Sequence, residues 1–122
     1  MALVLCVDTE DALQSSRKLI LEQAGHHVVA VTGERELIAA CGQCQFEIAV
    51  IGQAVPENEK HRALRLIKEH CPQAKVLELV EYGTERTLTD ANDWLEVPVH
   101  PPSELAHRVW SLAAKRSQSH AP

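Results

Sequence analysis

Five short apolar runs, separated by segments of helical or polar pattern, constrain this chain more than any other feature. Leu3-Val-Leu-Cys-Val7 is too short for a helix and has the unbroken hydrophobicity of a strand buried on both faces. Leu13, Ile20, Leu21 and Ala24 follow at helical spacing, closed by Gly25. The pattern repeats with His27-Val-Val-Ala-Val31, a short helix from Arg35 to Cys41 stopped near Gly42, and Glu47-Ile-Ala-Val-Ile51. A helix from about Asn58 to His70 is ended by Pro72 and leads to Lys75-Val-Leu-Glu-Leu-Val80. After a polar stretch over 84–93 comes a brief strand, Trp94-Leu-Glu-Val97. Pro101-Pro-Ser-Glu then opens a last helix carrying Leu105, Val109 and Leu112, with proline and a carboxylate where a helix start favours them.

Strands that alternate with helices imply a parallel sheet, because parallel neighbours need crossover connections and helices supply them. The expected architecture is an α/β protein of three layers, α/β/α, with a five-stranded parallel sheet of order 2-1-3-4-5. The 122 residues amount to one domain. Ligands of such sheets sit beyond the carboxyl ends of the strands, where the strand order reverses. Here that point collects Asp8, Thr9, Gly52, Val80 and Val97.

These residues carry a family resemblance that extends over nearly the whole chain. Phe46-Glu-Ile-Ala-Val-Ile-Gly-Gln-Ala-Val-Pro56 resembles the third strand, and its following proline, of the response-regulator receiver domains, which have the flavodoxin-like CheY-type fold. The resemblance places Gly52 where the family has its phosphorylated Asp. Leu95-Glu-Val-Pro98 resembles the fifth strand, with Val97 at the position of the family's lysine. Asp8 stands at the first of the paired acids, Thr9 replaces the second, and Val80 occupies the hydroxyl position of the fourth strand. Lys60 stands where a glycine usually follows the third-strand proline by four residues. The resemblance also implies a cis Val97–Pro98 bond, an isomer the residues themselves leave open.

Phosphoryl transfer is done mainly by positioning and charge stabilisation around a nucleophile, and glycine offers none. Magnesium wants several oxygen ligands, so Asp8 alone is a poor site. A lysine left beside Gly52 would lack its partner, a penalty that Val97 avoids. The expectation is a degenerate pseudo-receiver over residues 1–116, not an enzyme, needing no cofactor or metal and working through protein–protein contact. Residues 117–122 read as a flexible tail or the start of a linker. A neutral small ligand near Asp8, Thr9 and Gly52 is a further reading. Glu10 and Asp11 are expected to complement a helix dipole instead of binding metal.

Four cysteines, Cys6, Cys41, Cys44 and Cys71, are expected to be reduced thiols. Cys41-Gly-Gln-Cys44 has zinc or redox spacing, which makes a cysteine-based redox or zinc protein the rival reading. It closes a helix where a thioredoxin-like pair would open one, and no second ligand pair at zinc spacing follows. His26-His27 reads as a solvated turn. Glu78 is out of place in the middle of a covered strand, and the helix expected over 84–93 offers only Leu88 and Ala91 as anchors. A thin or shifted fourth helix would leave Glu78 accessible. The face of the fourth helix, fifth strand and fifth helix, with Trp94, Glu96 and Trp110, is the expected surface for a protein partner or a homodimer. Packing of both tryptophans on the sheet is the alternative. The net charge of −5 argues against nucleic acid, and the apolar runs are too short for a membrane span. With no basic, signal-like start, the chain reads as cytoplasmic.

Overall fold

The computed structural model describes residues 2–118. In chain order the elements are β1 (Leu3–Val7), α1 (Asp11–Gln23), β2 (His27–Val31), α2 (Glu34–Gln43), β3 (Ile48–Ile51), α3 (Glu57–His70), β4 (Lys75–Glu81), β5 (Asp93–Val97) and α4 (Ser103–Gln118). The five strands form one sheet of order β2-β1-β3-β4-β5, and every pair is parallel. Fold class and strand order are those read from the sequence. Helix α4 runs through residues 117 and 118, and the rest of the expected tail, 119–122, lies outside the described residues.

Alternation along the strands divides the core in two. Leu5, Val7, Ala49, Ile51 and Val76 face α2 and α3, where Leu37, Leu64 and Ile67 meet them. Val4, Cys6, Ile48, Val50, Leu77 and Leu79 face α1 and α4, against Leu21, Leu105, Val109 and Leu112. Both halves are apolar because the sheet is covered on both sides. The turn that follows α1 passes through Gly25, whose φ of 94° is a backbone conformation that glycine adopts without steric cost. The Val97–Pro98 and His100–Pro101 bonds are both cis. No helix of the described residues is long and apolar enough to cross a membrane.

Three expectations are corrected here. The fourth helix over 84–93 is absent: residues 82–92 form an irregular connection between β4 and β5. Its two apolar residues still act as anchors, since Leu88 and Ala91 are buried in the core on the α2/α3 side. Its backbone is satisfied by side chains instead of helical bonds. Glu78 accepts the N–H groups of Thr87 and Leu88, Arg86 donates to the carbonyls of Leu88 and Ala91, and Asn92 Oδ1 accepts from Val76 N–H at 2.8 Å.

The second correction concerns Glu78, which is fully buried. The third concerns His26, which is also buried: its Nδ1 accepts from the Ala2 N–H at 3.1 Å, and burial lowers its pKa. Only His27 of that pair is exposed.

Candidate functional site

The carboxyl ends of β1 and β3 bring Asp8 and Gly52 together. The Gly52 N–H donates to the Val7 carbonyl at 2.8 Å, continuing the ladder one step beyond the strands. Asp8 is fully buried, and its Oδ1 accepts from the Thr9 N–H at 2.6 Å. The other carboxylate oxygen is ion-paired with the Arg17 guanidinium, which reaches in from α1. Arg17 also donates to Gln53 Oε1, on the residue after Gly52. A methyl group built on Gly52 would overlap Asp8 Oδ2 and Arg17 Nη1. The Asp8–Arg17 pair therefore occupies the space into which a side chain at position 52 would project.

Arg17 was not singled out in the sequence, although a signal exists. Gln14, Arg17 and Leu21 form the buried stripe of α1, at spacings of three and four. A charged residue on such a stripe needs a partner. Gln14 shows the same inward turn, donating to the carbonyls of Cys6 and Val31 at 3.0 and 2.8 Å.

A second buried ion pair lies between α3 and β4. Lys60 Nζ donates to Glu78 Oε2 at 2.9 Å and to the Leu79 carbonyl at 3.0 Å. Burial alone would push the Glu78 carboxyl up. Hydrogen bonds from the Leu88 N–H, the Lys60 ammonium and the Thr87 N–H outweigh that and hold it below its ordinary value. The unexpected acid on β4 and the lysine at the glycine position thus answer one another. Val80 is buried beside them, and Val97 closes β5 half-buried.

The sequence-derived residues Asp8, Thr9 and Gly52 converge, with Thr9 Oγ1 donating to the Ala54 carbonyl at 3.2 Å. The recess beside Asp8 and Thr9 holds only about 50 Å³, far below the several hundred that a small-molecule site requires. A larger cavity of about 430 Å³ lies on the other side of Arg17, lined by Leu13, Ile20, Leu79, Val97, Pro98 and Leu105 among others. The donor set does not suit magnesium, because the one carboxylate is already neutralised by a guanidinium. Among the described residues no group of three or more His, Cys, Asp or Glu side chains is placed to hold a metal ion.

The tryptophans do not share one surface. Leu95 and Val97 pack with the core on the α1/α4 side, so alternation turns Trp94 and Glu96 to the opposite sheet face. Arg108 of α4 reaches over to Asp93 Oδ2 and the Trp94 carbonyl, at 3.1 and 3.0 Å. Trp110, two residues further along α4, points about 160° away from Arg108 around the helix. Trp94 is 37% and Trp110 56% exposed, so neither is consumed by packing.

The expectation of four reduced thiols is corrected for two of them: Cys41 forms a disulfide with Cys71, because the last turn of α2 lies against the end of α3. The Cys41–Cys44 couple of the rival reading is not formed. Cys6 and Cys44 are free.

No family model matches the sequence, and no curated protein matches it. Solved structures do. The signal receiver domain of a protein described as a LuxO repressor, from Vibrio parahaemolyticus, superposes with a TM-score of 0.80 at 16% identity, covering 97% of this chain and 94% of that one. A response-regulator receiver domain protein from Clostridium thermocellum gives 0.77 at 19% identity, covering 97% and 98%. A response regulator from Thermotoga maritima gives 0.75 at 21%, covering 93% and 98%. The fold is that of a response-regulator receiver domain. Gly52, which the sequence resemblance sets at the acceptor position, stands at the end of β3 against the Asp8–Arg17 pair.

Proposed function

We propose that this chain is a receiver-like signalling module of the two-component, phosphorelay type that takes no phosphoryl group and acts in the cytoplasm by protein–protein contact, not as an enzyme. The observation that carries this reading is the overlap at Gly52, where any side chain would collide with Asp8 and Arg17. Position 52 offers no nucleophile, and Arg17 supplies internally the positive charge that a metal ion would otherwise bring to Asp8. Two buried ion pairs that need no phosphate, Asp8–Arg17 and Lys60–Glu78, support the reading.

Contact with a partner or a second copy is assigned to the exposed side of β5, around Trp94 and Glu96, and separately to Trp110 on α4. Aromatic residues are enriched at such surfaces. The missing fourth helix leaves that side of β5 more open than a helix would, which supports Trp94 as the leading contact.

A magnesium titration followed by backbone amide shifts tests the first half of the reading. The amides of Asp8, Thr9 and Gly52 are expected to stay unmoved at millimolar magnesium, and saturable shifts confined to them would contradict it. Trp94→Ala and Trp110→Ala test the second half. At least one should weaken self-association or partner binding about tenfold or more in a folded protein, as truncating an interface anchor does. Unchanged association in both would remove the assigned surface.

A further inference from the structure

The end of the sheet opposite Asp8 and Arg17 gathers three of the four cysteines. Helix α2 ends at Gln43 and α3 at His70, and the chain turns from each towards the strand that follows. Cys41, in the last turn of α2, is bonded to Cys71 at the cap of α3, with 5.8 Å between their Cα atoms and a sequence separation of 30. Cys44 is free and half-buried. It lines the same open cleft of about 380 Å³ as Cys41, Cys71 and His70. Residues three apart on a helix have Cα atoms about 5 Å apart. That separation falls inside the range of roughly 4.4–6.8 Å that a disulfide spans. Cys44 follows the last residue of α2 as its cap, so Cys41 is bonded to Cys71 while a free thiol stands three positions along the chain in the same cleft. Cys6 takes no part, because it is buried in the core on the α1/α4 side and its thiol is pushed up to about 12 by that burial.

We propose that this cleft is a thiol–disulfide exchange site in which Cys44 competes with Cys71 for Cys41, so that the covalent link between α2 and α3 opens and closes. The Cys44 thiolate attacks Cys41 Sγ, and a Cys44–Cys41 bond forms as the Cys41–Cys71 bond breaks. The electron pair leaves on Cys71 Sγ, which takes up the proton that Cys44 gave up. Nothing is oxidised or reduced overall, so the step needs no external oxidant or reductant. Its consequence is mechanical, because α3 carries Lys60 and its end is covalently linked to α2 only while Cys71 holds Cys41.

The test is thiol mapping in the native protein. Oxidised protein is held at pH 8 without reductant, quenched in acid at intervals, alkylated and digested, and the label on each cysteine is read by mass spectrometry. Label is expected to divide between Cys44 and Cys71 as exchange proceeds. In Cys44→Ser, label at Cys71 should fall at least tenfold, because the attacking sulfur is gone. Label that stays on Cys44 alone in the wild type overturns the proposal. So does equal labelling of Cys71 with and without Cys44, and so does a protein in which mild oxidation produces no Cys41–Cys71 bond. This inference does not depend on the phosphoacceptor reading, and its failure would leave that reading untouched.

Discussion

Replacing one hydrogen of Gly52 by a methyl group forces the Asp8 carboxylate and the Arg17 guanidinium apart in a buried space. Gly52→Ala is therefore expected to cost about 1–3 kcal/mol, the usual range for overpacking. Urea unfolding measures it, and an unchanged midpoint would mean that position 52 has room. Lys60→Met should cost more, roughly 3–5 kcal/mol, because Glu78 is left charged and buried without its cation. The same unfolding experiment reads it, and a loss below about 1 kcal/mol would show that backbone N–H groups alone satisfy Glu78. At this scale the sequence was legible only as anomalies. Glu78 stood out as an acid in a covered strand, and Lys60 as a lysine in the place of a glycine. Nothing in a linear pattern says that the two meet, since they come from different elements 18 residues apart. Arg17 was hidden for the same reason: its partner Asp8 belongs to a strand end and not to its own helix.

At the scale of elements, the β4–β5 connection is held where a helix was expected. Two apolar residues cannot hold a helix of ten residues on the sheet, but they can anchor a loop whose N–H groups find a carboxylate. The central strands β1 and β3 were legible because burial on both faces leaves an unbroken apolar run, whereas the 84–93 segment has no period that reports its irregular backbone. The Cys41–Cys71 bond was illegible because its ends are fixed by where two helices stop. Closing a loop of that size stabilises a fold by roughly 3–4 kcal/mol on the chain-entropy estimate. Cys71→Ser should lose about that much relative to the oxidised protein, and an equal thermal midpoint in the two would show that the bond is not formed. Acid should release the 82–92 connection. Glu78 is held below its ordinary 4.5, so its contribution is complete above that pH and is lost as pH falls through the lower, folded value. His26, lowered from 6.5, acts in the same direction at a higher pH, destabilising as it is forced to protonate in the core. The thermal midpoint should decline gently below pH 6.5 and more steeply below 4.5, with the Leu88 amide losing exchange protection in the second phase. A midpoint that rises on acidification would contradict both assignments.

On the scale of the whole molecule, two clusters of polar and sulfur side chains lie at opposite ends of one sheet. The carboxyl ends hold Gly52 against the buried Asp8–Arg17 ion pair, and the other end carries three cysteines around one cleft. Topology was readable because alternation of strand and helix leaves few ways to build a parallel sheet. The residues at its switch point followed from that topology, whereas the contents of the space between them depended on Arg17. Intact-mass measurement after incubation with a small phosphodonor and magnesium reads whether this space is closed to phosphoryl chemistry. The mass is expected to be unchanged by the donor, at any magnesium concentration and in Asp8→Asn alike. A stoichiometric, acid-labile gain of one phosphoryl group on the wild-type chain would contradict it.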